Sequence, residues 1–271
     1  MNPPPKKAVI ISMTSDIGAA LARRWVGYGW QVAGTYRTFS SAAADLQKSG
    51  VKMIRCDVAD ARSVTAACER LKCLGRWDAL VLCPATLDPV GAFLAGRFEE
   101  WEKSVRVNFT GQMAVVHRLL KSRRSGKNPG PCVLFFAGGG TNSAPVNYSA
   151  YTVSKIALIK MCELLDAEIP DTRFVILGPG WVKTKIHRAT LKAGRRAGEN
   201  GSRTRERLAS KRCTPMDRVL DCCDWAVRTP RQAISGRNFS VAYDAWESPS
   251  FEKKLTQDPN RYKLRRHGNE D

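Results

Sequence analysis

Short β-branched and aromatic runs recur along the chain, each followed by a polar loop and a stretch with helical spacing. Ala8–Ile11, Gln31–Tyr36, Val51–Arg55 and Asp78–Cys83 come first, then Cys132–Phe136, Arg173–Leu177 and Asn238–Ala242. These runs are nearly continuous in apolar residues, as expected of parallel strands covered on both faces. Helices of about ten to fifteen residues fit between them, so the alternation predicts an α/β fold with a doubly wound, Rossmann-like parallel sheet. A long helix is predicted over about Glu99 to Ser122. Its apolar stripe holds Trp101, Val105, Val115 and Leu119, and Asn108 and Gln112 fall on the same stripe. Two amides on a buried face need partners in water, backbone or ligand. No repeat or linker divides the chain. The boundaries expected are one domain over residues 1–246 and a polar tail over 247–271.

At 271 residues with 43% hydrophobic content, the chain is long enough for a full core and too apolar to be disordered throughout. No apolar run reaches the ~20 residues of a membrane helix, and the N-terminus lacks a signal-peptide pattern, so a cytoplasmic protein is expected. Nine cysteines include no Cys-x-x-Cys, and the three histidines have no ligand spacing. Reduced thiols and no metal are expected.

The net charge of +19 permits nucleic acid, an anionic membrane surface or a phosphorylated substrate. Much of it is concentrated after Thr184, in Lys185, Arg188, Lys192, Arg195, Arg196, Arg203, Arg205, Arg207, Lys211 and Arg212. No aromatics interleave these cations and no nucleic-acid motif accompanies them, which argues against a specific nucleic-acid site. Either the stretch is a solvated surface, or its arginines clamp an anionic substrate.

Chemistry is suggested by Ser149-Ala-Tyr151-Thr-Val-Ser-Lys155, which follows a loop holding Gly138, Gly139 and Gly140. On a helix, Tyr151 and Lys155 share one face. A free phenol has a pKa of about 10, and a nearby ammonium favours the phenolate, so the pair is suited to proton transfer in carbonyl/alcohol chemistry. The second strand ends in Thr35-Tyr36-Arg37 without the carboxylate that would accept from an NAD ribose, which points to NADP rather than NAD.

Over roughly residues 6 to 245 these features resemble the short-chain dehydrogenase/reductase family, in its smaller, non-extended branch. Tyr151 and Lys155 match the catalytic Tyr-x-x-x-Lys, Asn108 the helix asparagine that holds a relay water, and Asp57-Val58 the pair at the adenine. Pro179, Gly180 and Thr184 match the loop along the nicotinamide. The resemblance implies a dinucleotide held by Ser12, Ser15, Ile17, Gly18, Arg37, Asp57, Val58, Pro84 and Ala85. Tyr151, Lys155, Pro179, Gly180, Val182 and Thr184 complete that set. It also implies a substrate flap over residues 184–212 and a homodimer or homotetramer.

Three departures qualify it. Ile11, Ser12, Asp16 and Gly18 stand in the family's Thr-Gly-x-x-x-Gly-x-Gly, so one glycine survives and a carboxylate lies near the pyrophosphate, unless Asp16 caps the helix (the reading favoured) or points away. Leu82-Cys83-Pro84-Ala85 replaces Asn-Asn-Ala-Gly. Gly138 stands where the catalytic serine is expected, leaving Thr141, Ser143 or nothing to replace it. Asp244-Ala-Trp246 and Tyr262-Lys-Leu-Arg-Arg266 look like family members of bacterial surface-sugar biosynthesis. The readings are therefore an NADP-dependent oxidoreductase on a carbonyl or secondary alcohol, with an anionic or sugar-linked substrate; a weak or inactive dinucleotide sensor; or a basic binder of nucleic acid or a membrane surface, favoured by charge alone.

Overall fold

All seven apolar runs become strands of one parallel sheet in the computed structural model, which describes residues 6–126 and 129–266. The strands are β1 Lys7–Ile11, β2 Gln31–Tyr36, β3 Lys52–Arg55 and β4 Ala79–Leu82, then β5 Cys132–Phe136, β6 Arg173–Gly178 and β7 Arg237–Ser240. Their order across the sheet is β3-β2-β1-β4-β5-β6-β7. Side chains alternate between the two faces. In β5, Cys132, Leu134 and Phe136 enter one core while Val133 and Phe135 enter the other. Both faces are covered, so the strands carry no polar side to break the apolar run.

The helices follow in chain order. Those of the first half are α1 Asp16–Gly27, α2 Ser41–Lys48, α3 Ala61–Lys72, α4 Phe98–Val105 and α5 Gly111–Leu119. Those of the second half are α6 Ser149–Glu168, α7 Arg188–Ala193, α8 Glu199–Ala209, α9 Met216–Arg228, α10 Arg231–Ile234 and α11 Pro249–Gln257. Buried residues of α1, α9 and α11 line one face of the sheet, and those of α3, α5 and α6 the other.

Two expectations change. The single helix over Glu99–Ser122 is interrupted by a π-helical turn at Arg106–Thr110, which separates α4 from α5. Gly111 follows that turn so close to the β3–α3 loop that a Cβ there would lie 2.1 Å from the Val58 carbonyl oxygen. The second change is at the C-terminus. The stretch from 247, expected as a polar tail, includes α11, whose Phe251 and Leu255 are buried beside Trp246, Phe239 and Tyr262. The buried Arg237 guanidinium donates to the carbonyls of Leu255, Asp258 and Arg261, closing the C-terminal end of that helix. Asp244 accepts from the Ser240 N–H and Trp246 donates to the Val241 carbonyl, so the C-terminal residues singled out for their resemblance have packing roles.

Candidate active site

Parallel strands leave a crevice where the direction of crossover reverses, outside their carboxyl ends. Here that point lies between β1 and β4, neighbours in the sheet from which the chain winds in opposite directions. The loop leaving β1 is held by its own bonds. The Ser12 N–H donates to Thr35 Oγ1 at 2.9 Å, the Met13 N–H to the Thr35 carbonyl at 2.7 Å, and the Ser15 N–H to the Ser12 carbonyl at 2.9 Å. Ser12 takes φ 55°, the left-handed region that a glycine enters without strain.

Ser15, not Asp16, caps α1, its Oγ accepting from the Gly18 N–H at 3.1 Å. Among the described residues the N–H groups of Asp16 and Ile17 have no acceptor, which suits this helix end to an anion. Asp16 has another task. Its Oδ2 accepts the backbone N–H of Lys185 at 2.6 Å, while Lys185 Nζ donates to the Thr14 carbonyl at 2.5 Å. The capping expected of Asp16 is thus corrected, because a carboxylate on the first helical residue reaches the neighbouring loop more easily than its own helix.

Tyr151 and Lys155 share the inner side of α6. Lys155 is 2% exposed, its Nζ donating to the Phe136 carbonyl at 2.8 Å and lying 5.7 Å from the centre of the Tyr151 ring. No salt bridge to a carboxylate is formed by this ammonium among the described residues. Burial lowers its pKa to about 8, partly countered by the Cys83 thiol. Tyr151 is partly buried, and its hydroxyl makes no hydrogen bond with the described residues. Loss of solvent pushes its pKa up to about 12. The lowering expected from Lys155 is not seen at Tyr151, since the ammonium bonds to the Phe136 carbonyl and desolvation dominates the phenol.

The place of the missing serine is occupied. A Cβ at Gly138 would lie 2.5 Å from the Tyr151 hydroxyl oxygen and 2.7 Å from two ring carbons, so the phenol ring occupies the space a serine would need. Thr141 and Ser143 are exposed on the glycine loop.

The π-helical turn turns Asn108 towards the loop after β4. Its Oδ1 accepts the Thr86 N–H, and its Nδ2 donates to the Thr86 carbonyl and to Ser104 Oγ. Gln112 Nε2 donates to the Pro84 and Asn108 carbonyls, both bonds buried. Both amide hydrogens of Asn108 are committed, so its side chain shapes the Pro84–Thr86 loop, with Ala85 at its centre. Asp57 Oδ1 accepts the Ala59 N–H and Val58 is buried, which shapes the loop after β3. At the end of β2 the Thr35 hydroxyl is spent on Ser12, whereas Arg37 is exposed and forms no salt bridge among the described residues.

Pro179, Gly180, Val182 and Thr184 lead out of β6 into the basic segment, expected as a substrate flap and here called the lid, which is folded into short helical turns and the helices α7 and α8. Its inner side presents Thr190, Ala193, Ala197 and Thr204, all buried. Ala193 and Ala197 pack on Leu87, Val90 and Tyr148 in a small core that also touches Tyr151. The Tyr148 hydroxyl shares a 2.7 Å hydrogen bond with Thr190, and Asn200 Nδ2 donates to the Val146 carbonyl. Most of the lid cations lie on its exposed outer side. Sequence reasoning missed Tyr148, and saw Lys185 only as one of the clustered cations, because each bonds to a partner more than forty residues away.

Residues 11–242 match a family model described as enoyl-(acyl carrier protein) reductase. An uncharacterised oxidoreductase of Schizosaccharomyces pombe is 28% identical over 116 residues, 43% of this chain and 46% of that one. D-threitol dehydrogenase of Mycolicibacterium smegmatis is 27% identical over 171 residues, 60% of this chain and 64% of that one. The chain thus spans about half to under two thirds of the length of these curated relatives. The fold matches that of an actinorhodin polyketide ketoreductase solved with NADPH, with a TM-score of 0.75, 20% identity and coverage of 89% of this chain and 98% of that one. Among the described residues, no helix is long and apolar enough to cross a membrane.

Proposed function

Because this chain belongs to the short-chain dehydrogenase/reductase family, we propose that it is an NADP-dependent oxidoreductase acting on a carbonyl or secondary alcohol. The observation that carries the reading is a buried ammonium, Lys155, beside a phenol, Tyr151; among the described residues the first pairs with no carboxylate and the second's hydroxyl has no partner. Burying a charge and leaving a polar group idle both cost stability, and such costs persist where a ligand uses the groups.

The residues present fit a dinucleotide. Free N–H groups at Asp16 and Ile17 suit a pyrophosphate, and the unpaired Arg37 suits a ribose 2′-phosphate. When bound, the nicotinamide supplies or accepts the hydride. Tyr151 gives or takes the proton at its hydroxyl. Lys155 sets the charge around the phenol and holds a ribose hydroxyl. Asn108 fixes the loop after β4, and with Gln112 already on its carbonyl it orders the relay water at one remaining lone pair. The lid, closed by Tyr148 and Thr190, excludes solvent.

An anionic substrate agrees with the lid's charge, but the inner side of the lid presents small uncharged residues, Thr190, Ala193, Ala197 and Thr204. The reacting carbonyl would sit beneath that side, with the anionic group outside, among the exposed arginines. A sugar-linked substrate rests on the likeness of the C-terminal residues alone, which here pack against the core. The second reading, a weak or inactive dinucleotide sensor, is favoured by Gly138, whose missing side chain is replaced by the Tyr151 ring.

One variant separates the two. Tyr151→Phe should lower turnover on a carbonyl panel by about 10²–10⁴ while leaving NADPH affinity nearly unchanged. A ratio to wild type near one, with measurable wild-type turnover, would falsify the role given to Tyr151. The same panel run with NADPH and NADH tests the role of Arg37, and equal affinity for the two cofactors would remove it.

A further inference from the structure

The bond between Asp16 and the Lys185 backbone joins two parts of the molecule that meet different ligands. Asp16 is the first residue of α1, at the helix end where a pyrophosphate would be received. Lys185 is the first residue of the lid, directly after Thr184. The contact has three parts: the Asp16 carboxylate holds the Lys185 N–H at 2.6 Å, Lys185 Nζ lies 3.9 Å from Asp16 Oδ1, and the same Nζ donates to the Thr14 carbonyl at 2.5 Å. The lid's ties through Tyr148–Thr190 and Asn200–Val146 run instead to the segment between β5 and α6. Among the described residues, the Lys185 bonds to Asp16 and Thr14 are the hydrogen bonds that join the lid to the loop after β1 and the start of α1.

We propose that this pair is a latch that holds the lid root closed until a dinucleotide pyrophosphate displaces it. The inference rests on the cofactor reading above. A carboxylate at a helix N-terminus is favoured by the helix dipole, and its bond to the Lys185 N–H is charge-assisted. A pyrophosphate arriving at the same end competes for the same dipole and repels the carboxylate. It also offers the Lys185 ammonium a stronger acceptor than the Thr14 carbonyl. With the carboxylate pushed aside, the Lys185 N–H loses its acceptor and the lid root is released to admit substrate. Reciprocity follows from linkage: if the pyrophosphate opens the latch, opening the latch by mutation tightens the cofactor by the same factor. A carboxylate where the family has a glycine then serves as a cofactor-sensitive catch.

The test is amide hydrogen exchange at Lys185 in the intact protein, with NADPH titrated in parallel by fluorescence. In the cofactor-free state, Asp16→Ala should exchange the Lys185 amide faster than wild type and bind NADPH about fivefold tighter or more. Asp16→Asn, which keeps an acceptor but loses the charge, should bind NADPH more tightly while retaining slow exchange. NADPH should accelerate exchange at Lys185 in wild type and add nothing in Asp16→Ala. Unchanged protection of the β5 amides would confirm that the variants keep the fold. If NADPH slows exchange at Lys185 in wild type, or if Asp16→Ala exchanges like wild type, the latch is wrong. Failure of the wild type to bind NADPH at all would overturn the functional reading and the latch together, whereas binding with no change at Lys185 would overturn the latch alone.

Discussion

Lys155 has a measurable signature whether or not a substrate is known. Its pKa in the folded protein is about 8, against an ordinary 10.5, because burial disfavours the charged form. That difference corresponds to a penalty of about 3 kcal/mol on the folded state, fully present below the folded pKa. Between the two values the unfolded chain binds more protons than the folded one, so this contribution makes stability rise with pH and levels off above 10.5. Other groups titrate in the same range, buried thiols among them, so the comparison must be differential. Relative to Lys155→Met, wild type should gain up to about 3 kcal/mol between the two pKa values, read from chemical denaturation at each pH. Parallel curves for the two proteins would show that Lys155 is not buried as a cation. The pairing of Tyr151 with Lys155 was legible in the sequence because four-residue spacing on a helix is a local rule. That Gly138 makes room for the phenol ring was not, because the contact is between a loop and a helix thirteen residues on.

Among the elements, the strands were legible and α11 was not, for the same physical reason. A strand buried on both faces writes its burial into every residue, and Cys132–Phe136 is buried throughout. Helix α11 commits only Phe251 and Leu255 to the core, one turn apart, and surrounds them with lysine, glutamate and serine. Two apolar residues among polar neighbours do not stand out from a tail. The π-helical turn was hidden for another reason. It depends on the close approach of Gly111 to Val58, and no periodicity records a contact between distant loops. If α11 belongs to the core, Leu255→Ala should destabilise the protein by about 2–5 kcal/mol in urea unfolding. A loss within about 0.5 kcal/mol, the range of surface substitutions, would return the segment to the status of a tail.

At the scale of the whole molecule, the sheet order and the excess of positive charge answer different questions. The order β3-β2-β1-β4-β5-β6-β7 sets the loops after β1 and β4 side by side at the carboxyl edge of the sheet; the alternation of elements foretold a doubly wound parallel sheet but not this order. The net charge of +19 says nothing about fold and much about what approaches that edge. Arg195 and Arg196 are exposed on the lid, and the lid's buried side is built from Thr190, Ala193, Ala197 and Thr204. Arginines on that outer side cannot clamp a group at Tyr151 while the lid is closed, but their field extends about 10 Å at 0.1 M salt and can draw an anion to the mouth. Such steering acts on encounter rather than on the chemical step. Arg195→Glu/Arg196→Glu should therefore lower kcat/KM for a phosphorylated carbonyl substrate, leave kcat and NADPH affinity nearly unchanged, and flatten the decline of kcat/KM with salt. A neutral substrate of the same shape should be indifferent to the double substitution. If the neutral substrate suffers equally, the arginines act by holding the lid together, and the surface charge has no part in choosing what the site receives.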